Sequence, residues 1–207
     1  LLGNLDDFSV ADAVAWEGLE PLDRYVMVEL ADLLAELERD YDEYHFHYVY
    51  RTVYNYVDDL SGVYMDVTKD RLYAERKDSP RRRAAQTVLY NILEVLVRTL
   101  APILTFTTDE VWENYPESLK YDGRPDNVQL AGWPSAETMK PTIPADARKD
   151  FDAVAQLLGV RETVTKALEE ARNAGVIVKS QEADVTLALP ADLRNLCESY
   201  DPAVFEE

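Results

Sequence analysis

Seven basic residues fall within one short stretch, Lys69, Arg71, Arg76, Lys77, Arg81, Arg82 and Arg83, against three acids, Asp70, Glu75 and Asp78. Guanidinium and ammonium groups gathered at one link between helices can converge on the oxygens of a phosphate backbone. A solvated helix start also carries such residues, and residue type alone favours that plainer reading. A second basic set, Arg161, Lys166, Arg172 and Lys179, is a weaker candidate because Glu162, Glu169, Glu170 and Glu182 cancel its charge. His45 and His47 lie two apart and face different directions on a helix, which argues against a shared metal or a catalytic pair. Ser61-Gly62 lacks the flanking glycines and the preceding strand of a nucleophile elbow and reads as a kink. The seven glycines are dispersed and form no phosphate-cradling loop. No catalytic residue and no metal ligand is therefore assigned. Among 13 tyrosines, Tyr41, Tyr44, Tyr48, Tyr50, Tyr54 and Tyr56 cluster. Aromatics can stack on unpaired bases, but at helical spacing beside valines they are expected to form core with hydroxyls at its rim.

The elements that must hold these residues follow from the apolar spacing. Leu22, Tyr25, Val26, Leu30, Leu33, Leu34, Leu37 and Tyr41 trace the single buried stripe of one helix, with Asp23 suiting its N-terminal dipole. A second helix is predicted from about Tyr44 through Val49, Val53, Val57 and Leu60, and a third from about Arg81 through Val88, Ile92, Val95 and Ile103, ended or bent at Pro102. Thr107 and Glu110 have capping-box spacing and announce a fourth, short helix that Pro116 should stop. From about residue 117 to Pro144 the chain carries Gly123, Pro125, Gly132, Pro134 and Pro141, and reads as a long irregular link. Beyond it a helix from about Ala145 to Asn173 closes at Gly175. Val185, Leu187 and Leu189 alternate with polar or small residues as one strand, and a short helix runs through Leu193 and Leu196. The predicted fold is mostly α: an antiparallel helical bundle over residues 1–134, then a small, truncated α+β C-terminal piece over residues 145–207.

Composition sets limits on function. With 207 residues, 47% of them hydrophobic, the chain can bury a real core. No apolar run approaches the ~20 residues that span a bilayer, and the N-terminus lacks signal-peptide features, so no membrane partner is expected and the cytoplasm is the expected compartment. The single Cys197 excludes an internal disulfide and a multi-cysteine zinc site. A net charge of −19 argues against indiscriminate nucleic-acid binding. The sign is local, however: residues 1–66 hold 16 acids and 3 bases, a net −13, immediately before the basic stretch. The apolar first residues and the abrupt Ala203-Val204-Phe205-Glu206-Glu207 ending suggest a piece cut from a longer protein.

Several ordered words resemble a known family. Leu1-Leu2-Gly3-Asn4-Leu5, Asp59-Leu60-Ser61, and Tyr64-Met65-Asp66-Val67-Thr68-Lys69-Asp70-Arg71-Leu72-Tyr73 are similar to the anticodon-binding region of isoleucyl-tRNA synthetases. So are Arg82, Ala84-Ala85-Gln86-Thr87-Val88-Leu89, Leu100-Ala101-Pro102-Ile103-Leu104-Thr105-Phe106-Thr107, Glu110, Trp112, and the run from Arg161 through Lys166-Ala167-Leu168-Glu169 to Arg172. The Leu-Ala-Pro-Ile-Leu segment is shared with valine and other class I enzymes. The resemblance implies a helical bundle that docks the anticodon side of isoleucine tRNA, joined to the remaining domains of a parent ligase. ATP and magnesium chemistry and editing are then expected upstream, since the His-Ile-Gly-His and Lys-Met-Ser-Lys-Ser words are absent, so this chain alone should neither activate isoleucine nor hydrolyse ATP. A zinc module is possible beyond its end, and no cofactor is expected within it. Where the family often reads Ile-Gly-Lys-Ser-Leu-Glu-Ala, this chain has Ile177-Val178-Lys179-Ser180-Gln181-Glu182-Ala183. The alternatives are the same region of a valyl-tRNA synthetase and an acidic helical protein-interaction scaffold.

Overall fold

The computed structural model describes residues 1–200. It divides into two compact units, Leu1–Ala147 and a second beginning at Arg148.

The first unit is a helical bundle. Helix α1 spans Pro21–Asp42, starting on a proline whose missing N–H costs nothing at that position. Asp23 in its first turn accepts from the Glu20 N–H at 3.1 Å. Helix α2, Phe46–Asp59, follows after a reversal in which Tyr44 takes φ +60°, and runs back along α1, so that Thr52 reaches Glu36 at 3.4 Å. The expected kink at Ser61-Gly62 is a π-helical turn, Leu60–Tyr64, leading without a break into α3, Met65–Tyr73. The Ser61 hydroxyl donates back to the Val57 carbonyl at 2.8 Å. Helix α4, Pro80–Leu100, returns parallel to α1, with Arg81 near Glu20 at its start and the Tyr41 hydroxyl donating to Thr99 O at 2.7 Å near its end. Helix α2 is thus antiparallel to α1, and α4 packs against α1, α3 and α5.

Helix α4 is the core element. Its Ala84, Ala85, Val88, Leu89 and Ile92 are wholly buried, and each large apolar side chain among them stabilises the fold by roughly 1.5–3 kcal/mol. Its two buried side-chain amides are satisfied: Gln86 donates to Asn4 O and Asp7, and Asn91 bonds the backbone N–H of Lys140 at 2.9 Å and its carbonyl at 2.5 Å.

Two local expectations, the capping box and the strand, are corrected. Helix α5 begins at Thr105 and ends at Glu113, so Thr107 and Glu110 lie inside it and form no capping box. The turn after α4 feeds it directly, through Leu104 N–H to Leu100 O at 2.7 Å. The link after Pro116 is irregular but not loose. Leu119, Val128, Met139 and Ala147 are buried, Trp112 donates to Pro125 O at 2.9 Å, and Arg124 lies 3.6 Å over the Trp112 ring. The second unit consists of α6, Arg148–Asn173, closed by Gly175 at φ +71°, and α7, Ala191–Ser199, which packs against α6. Residues 183–190 form no strand, and among the described residues there is none, so the α+β piece is helical and irregular instead. Val185 and Leu187 are about half exposed. Alternation alone is not enough, because a strand needs a neighbour to take its N–H and C=O groups. The Ala203–Glu207 ending lies outside the described residues.

One buried network ties these helices together. Arg71 Nη1 lies 3.3 and 3.4 Å from the two Asp23 oxygens, and the Tyr64 hydroxyl donates to Asp23 at 2.8 Å. Both charged side chains are 5% exposed or less. Burial pushes the Asp23 carboxyl up to about 6 against the opposing pull of Arg71, Tyr64 and the Glu20 N–H, so it is still ionised at neutral pH. Replacing Arg71 with Met strands a buried carboxylate and should cost about 3–5 kcal/mol. Adding Asp23→Asn should recover much of that loss. Urea unfolding midpoints of the two variants check both statements.

Candidate nucleic-acid interface

The predicted basic island is brought to one end of the bundle, around the α3–α4 link, but its members divide by what holds them. Three point inward. Arg71 belongs to the buried network with Asp23. Arg82 Nη2 meets Asp7 Oδ1 at 3.1 Å, while its Nη1 donates to the Leu72 carbonyl. Arg83 Nη1 donates to Asp7 O at 2.7 Å and to Gln86 Oε1 at 2.8 Å. The reason is electrostatic. Arg82 and Arg83 lie in the first turn of α4, at the positive end of its dipole, and need a nearby acid, which Asp7 supplies, while Arg71 answers the buried charge of Asp23.

The other four face water. Arg81 is 44% exposed between Glu75 at 3.3 Å and Glu20 at 3.6 Å. Arg76 is 86% exposed and forks onto Asp78 at 3.0 and 3.1 Å. Lys69 pairs with Asp66 at 2.9 Å, and exposed Lys77 has no ion-pair partner among the described residues. Exposed ion pairs are worth only about 0–1 kcal/mol, so Lys69 and Arg76 can exchange a carboxylate for a phosphate at little cost. The accessible part of the island is thus the exposed turn of the α3–α4 link with its flanks. In the second unit, Lys166 and Lys179 are exposed, Arg161 is half-buried, and Arg172 stands 3.7 Å from Glu169.

The tyrosine cluster departs from expectation. Tyr56 and Tyr41 are partly covered as predicted, but Tyr44, Tyr50 and Tyr54 are 78%, 69% and 59% exposed. Helix α2 lies at the edge of the bundle and buries only Val49 and Val53, so valine spacing marks a narrow stripe and most of the rings fall outside it. His45 Nδ1 lies 3.2 Å from Glu43, and the His45 and His47 rings are 6.1 Å apart, edge to face. Among the described residues no three of His, Cys, Asp and Glu gather as a metal site. No helix there is long and apolar enough to cross a membrane. A recess of about 240 Å³ beside Glu94 and Arg98 on α4 falls below the usual ~300–1,000 Å³ of ligand pockets.

Asp7 is the positioning residue that composition did not reveal, because its partners lie 75 or more residues away. Burial raises its carboxyl, but hydrogen bonds from Gln86 and Arg82 and the charges of Arg82 and Arg83 outweigh it, holding it below the usual carboxylate range. A carboxylate depressed in the folded state contributes stability above its unfolded pKa, near 4, and loses it as pH falls through the lower folded value. Asp7→Asn should therefore destabilise the chain by about 2 kcal/mol at pH 7, the range of charge-assisted hydrogen bonds. The difference in melting temperature between variant and unmodified chain should close as pH drops below about 4.

A family model described as the anticodon-binding domain of tRNA ligase matches residues 23–187. The isoleucine–tRNA ligase of Nitratidesulfovibrio vulgaris is 42% identical over 197 residues, 95% of this chain and 20% of that protein. Those of Brevibacillus brevis and Moorella thermoacetica are each 44% identical, over 90% and 93% of the chain. The chain thus spans about a fifth of the length of these curated relatives. A bundle that turns its accessible cations and a row of uncovered aromatic rings outward, matched over most of its length, belongs to the family of anticodon-binding domains of tRNA ligases.

Proposed function

We propose that this chain is the tRNA-binding region of an isoleucine–tRNA ligase, and that it holds the anticodon side of isoleucine tRNA while the rest of the ligase carries out the ATP- and magnesium-dependent joining of isoleucine. The carrying observation is the match at 39–44% identity, over at least nine-tenths of the chain, to proteins named isoleucine–tRNA ligase. The same observation speaks against the valine enzyme and against a protein-interaction scaffold.

On this reading the phosphate contacts fall to Lys69, Arg76, Lys77 and Arg81, on the exposed link between α3 and α4. Arg71, Arg82 and Arg83 act from behind by fixing that link to α1 and to the N-terminal segment. The residues before the island carry a net −13, which repels a polyanion from most of that surface and directs it to where the sign changes. The second basic set, Arg161, Lys166, Arg172 and Lys179, is a supplementary contact at most, with acids interleaved among its members.

The division of labour is testable in the ligase that carries this segment. Replacing Arg76 and Lys77 with alanine should weaken binding of isoleucine tRNA severalfold and reduce the slope of log affinity against log salt by about 1.4–1.8, the loss of two phosphate contacts. Isoleucine-dependent pyrophosphate exchange without tRNA should be unchanged. Unaltered affinity and slope would remove the island from the interface. Alanine at Arg82 and Arg83 should instead lower the melting temperature, since these side chains hold Asp7.

A further inference from the structure

From Tyr44 to Val57 the chain contains no Asp or Glu, although residues 1–66 hold 16 of them. The charged or titratable side chains of this window, apart from its tyrosines, are Arg51, His45 and His47. Within it, Phe46, Tyr50, Tyr54 and Val57 follow one another at spacings of four, four and three, which places them on one face of α2. They are 48%, 69%, 59% and 40% exposed. An apolar face of this kind on the edge of a bundle calls for a cover.

Composition and charge point to the cover. A helix docking by interdigitation meets mainly Leu, Ile, Val and Ala, whereas this face offers planar rings with outward hydroxyls, flanked by His47, Arg51 and Asn55. Helix α2 itself brings no carboxylate to this face between Tyr44 and Val57, the acids Glu43 and Asp58 standing only at its two ends, so a polyanion meets less repulsion here than along the rest of residues 1–66. Geometry narrows the ligand further. The Tyr50 and Tyr54 rings have centroids 6.0 Å apart and planes inclined by 36°. A flat heterocycle between two rings needs two contact layers of about 3.5 Å each, roughly 7 Å in all. Two exposed tyrosines one helical turn apart reach that spacing by small side-chain rotations. Base pairing and stacking close a duplex interior to such a clip, so the ligand is a base that is already unpaired. Arg51, next to Tyr50 in sequence and with its guanidinium carbon 5.0 Å over the Tyr48 ring, is the full cation that α2 itself offers to the accompanying phosphate.

We propose that Tyr50 and Tyr54 form an aromatic clip that takes one unpaired base of an RNA loop. The clip rests on the RNA-binding reading above and adds to it a second surface, distinct from the cationic link, that works by stacking. The test uses the ligase that carries this segment and isoleucine tRNA transcript as probe, with affinity measured at several salt concentrations. Tyr50→Leu with Tyr54→Leu keeps the face apolar and removes the flat rings. It should weaken binding tenfold or more and leave the salt slope unchanged, because stacking releases no counterions. Tyr50→Phe with Tyr54→Phe should bind like the unmodified ligase. If the leucine variant keeps full affinity while the unmodified ligase binds tRNA well, the clip is overturned and the RNA reading stands. If leucine is tolerated but Tyr50→Ala with Tyr54→Ala lowers the melting temperature without changing affinity, the face packs against another part of the ligase and the clip is likewise overturned. A ligase that binds no isoleucine tRNA at all would overturn both readings.

Discussion

The bundle depends on one ion pair formed where water cannot reach it. Asp23 opens α1, Arg71 closes α3, and Tyr64 between them sits on the π-helical turn, so three elements meet in a single set of hydrogen bonds. Taking a carboxylate and a guanidinium out of water is costly, and the cost is met only when the geometry satisfies both groups. That requirement explains the π turn. An ordinary α-helical path from Asp59 would leave Tyr64 rotated by about a third of a turn from its present direction. The widened turn brings its hydroxyl to Asp23. A buried pair of this kind stabilises the fold less than it restricts it, because few other arrangements of these helices leave both charges satisfied.

The same logic separates structural from accessible arginines. In an acidic chain every cation has many possible partners, and the ones nearest the core are used first. Arg71, Arg82 and Arg83 each hold distant segments: α1 in the first case, the N-terminal turns in the others. What is left for a polyanion is the set whose partners are local and exposed. The bundle thus spends its inner cations on holding the shape of the link, and the outer ones stay exchangeable. Helix α2 divides its side chains similarly, with Val49 and Val53 given to the core and the aromatic rings left to water.

The helices were legible in the chain because their stripes are periodic: α1, α4 and α6 each appear within a few residues of where the spacing puts them. Features decided by distant partners were not. The roles of Arg82 and Arg83 depend on Asp7, 75 residues earlier, and no local pattern encodes that pairing. The exposure of the α2 tyrosines is not encoded locally, because spacing tells which residues share a face but not which faces find a neighbour. Thr107 and Glu110 have the chemistry of a cap, yet the turn leaving α4 had already started the next helix two residues earlier. Val185, Leu187 and Leu189 show the converse, a strand pattern with no strand beside it.

The segment after α5 changes where the bundle ends. Its composition reads as a long irregular link, and Asn91 grips the backbone of Lys140 through both N–H and C=O, while Asp109 receives the Val128 N–H at 3.1 Å. Leu119, Val128 and Met139 complete the wall over α4 and α5 that Trp112 and Tyr115 begin. A protease needs a stretch of chain that can leave the surface and enter its cleft, and the anchors at Leu119, Val128, Met139 and Ala147 confine such stretches to the short exposed runs between them. The smallest heritable unit of this fold is therefore the bundle together with its strap, and a gene boundary drawn at Pro116, where helical periodicity ends, would cut through an interior.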